Sequence, residues 1–327
     1  FIRKPSDLCL YALIMAGSTA ISQLLLWTKT VKYVDFQKVQ LAQIKKHFLP
    51  IIRLFVPMIA LSIYHFMDKT MLDLLSTEAE VGYYYAADKI IYIPLGLITA
   101  IGTVMLPRIS SIVGESKEKT EKLLSKSTEL SICMSCAVGF GIAAIARVFV
   151  PLFFGEGYEK CVNLLVLFVP VLFVKSLSNV VDQQYLIPAK CDNQYTLAVT
   201  GGAIVNLICN GLLIPQLGSV GATLGTLMAE LSVLIVSAHC AKKEIRFFRM
   251  FSRYSYYLLL GLIMFIAVRF FDSYSHIERS FIRLILMIMI GGGVYSLLCL
   301  TVWLKVKEKS VFGSILISLS KKGAIRK

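Results

Sequence analysis

The chain is a succession of long apolar runs separated by short polar ones. Nine runs have the length of a membrane-crossing helix: Leu8–Trp27, Phe48–Met67, Ala86–Leu106, Leu130–Phe154, Val162–Val181, Tyr195–Ile214, Val220–Cys240, Tyr254–Phe271 and Phe281–Leu304. About 20 predominantly apolar residues suffice to cross the hydrocarbon core of a bilayer as a helix. The pattern therefore predicts an all-α fold, a polytopic transmembrane helical bundle of about nine spans. The longest polar gaps, Thr28–His47 and Arg108–Thr128, are too short to fold as soluble domains of their own.

One stretch departs from a plain anchor. From Phe48 to Met67 the only charge is Arg53, but Asp68 and Lys69 then arrive before the apolar pattern ends at Leu74 and Leu75. Charges at such a position are costly unless they face protein or a water-filled cavity. Pro50 and Pro57 lie in the same run, and such breaks are tolerated where neighbouring helices re-satisfy the freed carbonyls. Phe48–Ser76 reads as a gating or cavity-lining helix.

Composition supports the membrane reading: 57% of the residues are hydrophobic and mean hydropathy is +0.72, above the usual share in soluble domains. The net charge of +14 raises the question of nucleic acid. However, no basic helix interleaved with aromatics and no groove-reading motif is present, so no nucleic-acid partner is expected. Most of the 34 Lys and Arg fall in alternate loops, among them Lys29 to Lys46, Arg108 to Lys126, Lys190, Lys242 to Arg253, and the tail from Lys305. Cytoplasmic loops retain Lys and Arg, which predicts a multi-pass protein of the cell membrane with a cytoplasmic C-terminus and Phe1 outside. That parity, with a first residue other than Met, implies an odd number of preceding helices in a protein whose N-terminus is cytoplasmic, and hence an N-terminally incomplete chain.

The eight cysteines lie in or beside apolar runs and read as small hydrophobes. Cys133-x-x-Cys136 sits inside a span without a second pair or a His partner, and the four histidines are scattered. No metal, cofactor or catalytic residue is expected.

Polar residues at depth are the candidates for function. Lys175 lies more than two turns inside Val162–Val181, too deep to snorkel comfortably, and a lysine facing a central cavity attracts an anion such as pyrophosphate. Glu230 lies at the middle of Val220–Cys240 with no cation four residues away on its own helix, so it should meet one on another helix or titrate. Asp68, Lys69 and Lys89 flank the outer mouth of two successive helices. Gln183 closes the far end of Val162–Val181, as gate or as cap. Asn206 and Asn210 share one face of Tyr195–Ile214, a helix that Pro215 is expected to end. Arg53, Arg147 and Arg283 lie near span ends and read as snorkelling anchors. Gly221-x-x-x-Gly225 permits close helix approach, and Gly291-Gly292-Gly293 reads either as a hinge or as a thin place where another helix packs.

Seven strings in order carry a resemblance: MDKTML (Met67–Leu72), VGYYYAADKI (Val81–Ile90), GTVMLPRIS (Gly102–Ser110), FFGEGYEK (Phe153–Lys160), QQYLIPAK (Gln183–Lys190), GAIVNLICNGLLIP (Gly202–Pro215) and GSVGATLGTLMAEL (Gly218–Leu231). Together they resemble the Wzx-type oligosaccharide flippases of capsule and O-antigen pathways, in the superfamily of the multidrug antiporters. The resemblance implies about fourteen helices in two six-helix lobes with an extra helix pair at the end, and a cavity between repeats. On that map residues 1–47 hold the last helix of the first lobe and a cytoplasmic linker. Residues 48–241 form the six-helix second lobe, and 242–327 an extra C-terminal helix pair with a basic cytoplasmic tail.

The implied activity is movement of undecaprenyl-pyrophosphate-linked oligosaccharide from the cytoplasmic to the outer leaflet, with lipid-linked oligosaccharide, membrane lipids and a polysaccharide polymerase as partners. An ion or proton gradient would drive it, with Asp68 or Glu230 as coupling carboxylate. One lobe by itself is not expected to transport. The alternatives are a multidrug or cation antiporter, which prefers an acidic cavity, or a lipid II flippase. A membrane enzyme would need a sizeable outer loop or an acid–base pair, and neither presents itself in the sequence.

Overall fold

A computed structural model describes residues 8–30, 34, 48, 66–242, 244–275 and 280–306. No strand occurs among the described residues. The chain divides into two compact units, Phe1–Met58 and Ile59–Lys327.

The first unit contributes α1, Leu8–Thr30. Its hydroxyls are absorbed locally: Ser18 and Thr19 both donate to the carbonyl of Met15, and Thr28 to that of Leu25. This back-bonding keeps polar side chains tolerable on an otherwise apolar helix.

In the described residues the second unit begins with a helical stretch, α2, at 66–75. It continues with α3 (Glu78–Ser110), α4 (Lys117–Phe154) and α5 (Lys160–Val181). A π-helical turn, Asp182–Leu186, follows, then α6 (Asp192–Leu217), α7 (Ser219–Ala241), α8 (Phe247–Tyr254), α9 (Tyr256–Tyr274) and α10 (Ser280–Val306). Among the described residues, seven helical segments are long and apolar enough to cross a membrane: Glu78–Ser110, Lys117–Phe154, Lys160–Leu186, Asp192–Leu217, Ser219–Ala241, Phe247–Tyr274 and Ser280–Lys305. The protein is thus a multi-pass helical membrane protein. Of the two remaining expected spans, α1 is a helix of 23 residues, whereas Phe48–Met67, with Pro50, Arg53 and Pro57, lies almost wholly outside the described residues, as do the linker and the basic tail.

The helices outrun the apolar pattern that predicts them. Helix α3 starts eight residues before Ala86, where Glu78 and Glu80 occupy its first turn and their charge favours the N-terminal end of the helix dipole. Helix α4 starts at Lys117, capped by Ser116, whose hydroxyl accepts from the Lys119 amide. The polar segment 117–129 is therefore helix and not loop. Helix α6 runs past Pro215 to Leu217, and Gly218, at φ +57°, is the residue that ends it. Proline loses only one backbone bond in a last turn, whereas a positive φ stops the helix in a conformation that glycine adopts without strain.

Helix α5 is the most enclosed element, packed by α3, α4 and α7, and α6 lies along α7. The α6–α7 seam is close because Gly225 has no side chain: a Cβ there would run into Asn210. This is the small-residue packing by which apolar helices associate in lipid. Helices α9 and α10 pack on each other and on α4. Gly291 meets Val268 and Met264 of α9, whereas Gly292 and Gly293 are exposed with open space beside them; α10 continues as helix through all three, so the close packing rests on Gly291 alone. Arg283, near the start of α10, pairs its guanidinium with Asp272 at 2.6 Å, while Arg269 holds the other carboxylate oxygen at 2.8 Å.

Candidate functional site

Charged and polar side chains that the sequence scatters over 170 residues converge inside the second unit. Asp68 of α2 is buried and accepts four hydrogen bonds from three other helices. Tyr84 Oη donates to Oδ2 at 2.9 Å, and Thr226 Oγ1 to the same oxygen at 2.8 Å. Asn206 Nδ2 and Asn210 Nδ2 donate to Oδ1 at 2.8 and 2.7 Å. All four donors are neutral. Hydrogen bonds from several directions stabilise a carboxylate without placing a cation on it.

Lys69, the sequence neighbour of Asp68, does not pair with it. Its Nζ meets Asp88 at 2.9 Å and lies 4.2 Å from the centre of the Tyr85 ring. Adjacent helical residues point about 100° apart, so a helix that aims Asp68 at α6 and α7 sends Lys69 towards α3. Lys89 follows Asp88 on α3 but is exposed and is not brought to this group.

Lys175 and Glu230 find one another. Lys175 Nζ donates to Glu230 Oε1 at 2.8 Å, joining α5 to α7, with 24% and 6% of the side chains exposed. The pair stands where two pockets meet. One, of about 50 Å³, is walled by Asp68, Lys69, Tyr84, Asp88, Tyr92, Thr226 and the pair itself. The other, of about 160 Å³, is walled by the pair with Thr99, Ser178, Asn179, Asp182, Gln183, Tyr195, Val199 and Val233. Gln183 thus joins the same polar interior from the π-helical turn. Asn179 is held against α3 because Gly102 opposite has no Cβ.

A further ion pair closes the Gly218 end. Glu80 of α3 takes the Lys160 ammonium and both the backbone and hydroxyl of Ser219, at the start of α7.

Sequence reasoning missed three buried carboxylates, Asp182, Glu129 and the Asp272 that pairs with Arg269 and Arg283. Asp182 was placed beyond the end of a span, yet it is 6% exposed and its Oδ1 has no hydrogen-bond partner. The available signal was its register, seven residues from Lys175 and four from Ser178. Glu129 falls between the polar gap Arg108–Thr128 and the run that starts at Leu130, yet it is fully buried and accepts from Tyr257 Oη at 3.0 Å, which in turn accepts from Trp303 Nε1 at 2.7 Å. That group fastens α9 and α10 to α4 and stands apart from the pockets. Among the described residues, no cluster of three His, Cys, Asp or Glu side chains has the arrangement of a metal site.

Apolar helices α3, α5, α6 and α7, with α2, enclose an interior of paired and hydrogen-bonded charges, an arrangement that in a polytopic membrane protein marks a functional site. The chain belongs to the MurJ family: the family model described as lipid II flippase MurJ matches residues 10–290. Among curated proteins it is similar to a putative O-antigen transporter of Escherichia coli, 23% identical over 232 residues, covering 70% of this chain and 56% of the relative. It is also similar to the probable low-salt glycan biosynthesis flippase Agl15 of Haloferax volcanii, 22% identical over 241 residues, 72% of this chain and 50% of the relative. The chain spans about half the length of these relatives. In fold it is similar to the solved structure of a lipid II flippase MurJ in an inward closed conformation. The TM-score is 0.70 at 17% identity, over 87% of this chain and 60% of that one.

Proposed function

We propose that this chain is part of a flippase that moves undecaprenyl-pyrophosphate-linked oligosaccharide from the cytoplasmic to the outer leaflet for surface polysaccharide synthesis. In support stand the family to which the chain belongs and the names of its relatives, an O-antigen transporter and a glycan flippase. The observation that carries the reading is Lys175: an ammonium held deep in the second unit beside a pocket, paired among the described residues with the carboxylate of Glu230. Such a cation exchanges partners with an incoming anion at modest cost, because the replacement preserves charge neutrality in a low-dielectric interior. A diphosphate is the anion that the substrate offers.

In this reading residues 48–241 are one lobe, 1–47 carry the last helix of the other, and 242–327 add a helix pair and a cytoplasmic tail. Lys69, Gln183 and Asn206 line the same interior, and Lys89 serves at its outer rim. The protein works as a transporter and not as an enzyme, with membrane lipids around it and a polysaccharide polymerase downstream. Asp68 is the coupling carboxylate: its partners are neutral and come from three helices, so gain of a cation there would alter how those helices pack.

A lipid II flippase is the second reading, favoured by the description of the matching family model. The two substrates share a polyprenyl pyrophosphate and differ in the sugar. The test compares Lys175→Ala with Lys175→Arg in the intact transporter. Lys175→Arg keeps most flipping and Lys175→Ala loses at least about tenfold, the equivalent of 1.4 kcal/mol. Equal activity of both with the unaltered protein removes Lys175 from the site.

A further inference from the structure

Helix α7 presents a polar residue to the interior of its bundle at nearly every second turn: Ser219, Thr226, Glu230 and Ser237, at intervals of seven, four and seven. Each is met by an ionisable group from another helix. Ser219 meets Glu80, Thr226 meets Asp68, Glu230 meets Lys175, and Ser237 stands beside Asp182. From Ser219 to Ser237 is about 27 Å of helix at 1.5 Å per residue, close to the roughly 30 Å hydrocarbon thickness of a bilayer. A polar column thus runs along the inside of one bundle.

The end of the column at Asp182 differs from the rest. Elsewhere the carboxylates are hydrogen-bonded or ion-paired, but here Asp182 Oδ1 and Ser178 Oγ are buried with no hydrogen-bond partner among the described residues, and the buried Ser237 hydroxyl beside Asp182 has none at ordinary hydrogen-bond distance. Asp182 and Ser178 line the 160 Å³ pocket, and Asp182 sits where α5 changes to a π-helical turn. Such single π-turns recur at functional sites. A cavity of that volume holds roughly five waters at about 30 Å³ each, and waters there would satisfy the oxygens of Asp182 and Ser178 that line it. The smaller pocket, with room for one or two waters, continues from the Lys175–Glu230 pair to Asp68.

We propose that Asp182 is a proton-exchange carboxylate, and that the pocket between it and the Lys175–Glu230 pair is the path by which the proton of Asp68 leaves and returns. This rests on the reading of Asp68 as the coupling carboxylate. The proton passes from the Asp68 carboxylic acid through water to Glu230, leaving the Lys175 ammonium briefly unpaired. It continues through the pocket waters to Asp182 and from there to bulk water past Gln183 and Tyr195. Only O–H bonds form and break, and one positive charge moves from Asp68 to the solvent. Tyr84 and Thr226, 3.2 Å apart, are hydroxyls that can turn to accept from the protonated Asp68. Lys175 decides between a proton and a metal ion: a fixed ammonium in the throat repels a passing cation, whereas Glu230 carries a proton as a neutral acid. The titratable groups facing Asp182 are Glu230 from α7, Lys175 from α5 and Tyr195 from α6, while α3 contributes the neutral Thr99 to the pocket.

The experiment is pH-difference infrared spectroscopy of the full chain in lipid nanodiscs, following the carbonyl stretch of protonated carboxyl groups. Acidification of the unaltered chain should produce a band that Asp182→Asn removes and Asp182→Glu restores at a shifted frequency. If Asp182→Asn fails to fold, the shift in Asp182→Glu alone makes the assignment. Glu230→Gln should slow deuterium exchange of the Asp68 band, itself identified by its loss in Asp68→Asn. An acid-induced band unchanged by substitution of Asp182 overturns the proposal. Suppression of that band by sodium chloride at fixed pH also overturns it, in favour of a metal cation. Unchanged deuterium exchange in Glu230→Gln refutes the path. None of these readings needs a lipid-linked sugar, so a chain that titrates at Asp182 but does not flip removes only the flippase reading.

Discussion

Replacing Glu230 with Gln removes one charge and leaves the shape of the side chain almost intact. Lys175 then keeps a buried ammonium with an amide oxygen where a carboxylate stood. Breaking a buried ion pair by removing one partner costs about 3–5 kcal/mol, and Lys175, at 24% exposure, belongs at the lower end, about 3 kcal/mol. Lys175→Met removes the ammonium from Glu230, which is only 6% exposed, and should likewise cost about 3 kcal/mol. In the double variant neither charge remains, so its loss should be smaller than that of either single change. The assay is reversible unfolding of the purified chain in mixed micelles, followed by loss of helical signal, with all four proteins forming a double-mutant cycle. Single losses that add to the double within about 0.5 kcal/mol would show that the pair is not coupled and would refute the geometry.

Two further substitutions probe the frame around the site. Tyr257→Phe withdraws the donor of Glu129 and the acceptor of Trp303; it should destabilise by about 1–3 kcal/mol, measured by the same unfolding, whereas an unchanged midpoint would mean that Glu129 is satisfied by its other contacts. Gly225→Val should drive α7 away from Asn210 and lower stability by about 1–3 kcal/mol; a neutral result would show that the α6–α7 seam is looser than described.

Much of the fold was legible because lipid imposes a simple rule: long apolar runs must be helices. The ends were less legible, since hydropathy marks where a helix can contact lipid and not where its backbone stops. Glu129 shows the consequence. It precedes the first apolar residue of its run and so escapes the hydropathy pattern, yet α4 begins at Lys117 and buries it against α9.

Lys175 and Glu230 were each conspicuous as charges at mid-depth, but 55 residues separate them and only the packing of α5 on α7 brings them together. For Asp68 the adjacent Lys69 was the natural partner on paper. The angular step of a helix forbids it, and the true partners lie on α3, α6 and α7. Asp182 was hidden by its position just past the apolar run, although Lys175, Ser178 and Asp182 already shared a face by spacing alone.

The central claim is that the intact transporter carries lipid-linked oligosaccharide across the membrane. The most direct measurement is the leaflet in which that intermediate resides in cells lacking the gene, read with a membrane-impermeant sugar-modifying probe on spheroplasts. Accumulation on the cytoplasmic side, protected from the probe until the cells are opened, is the predicted result. Intermediate that still reaches the outer face and becomes labelled in intact spheroplasts would contradict it.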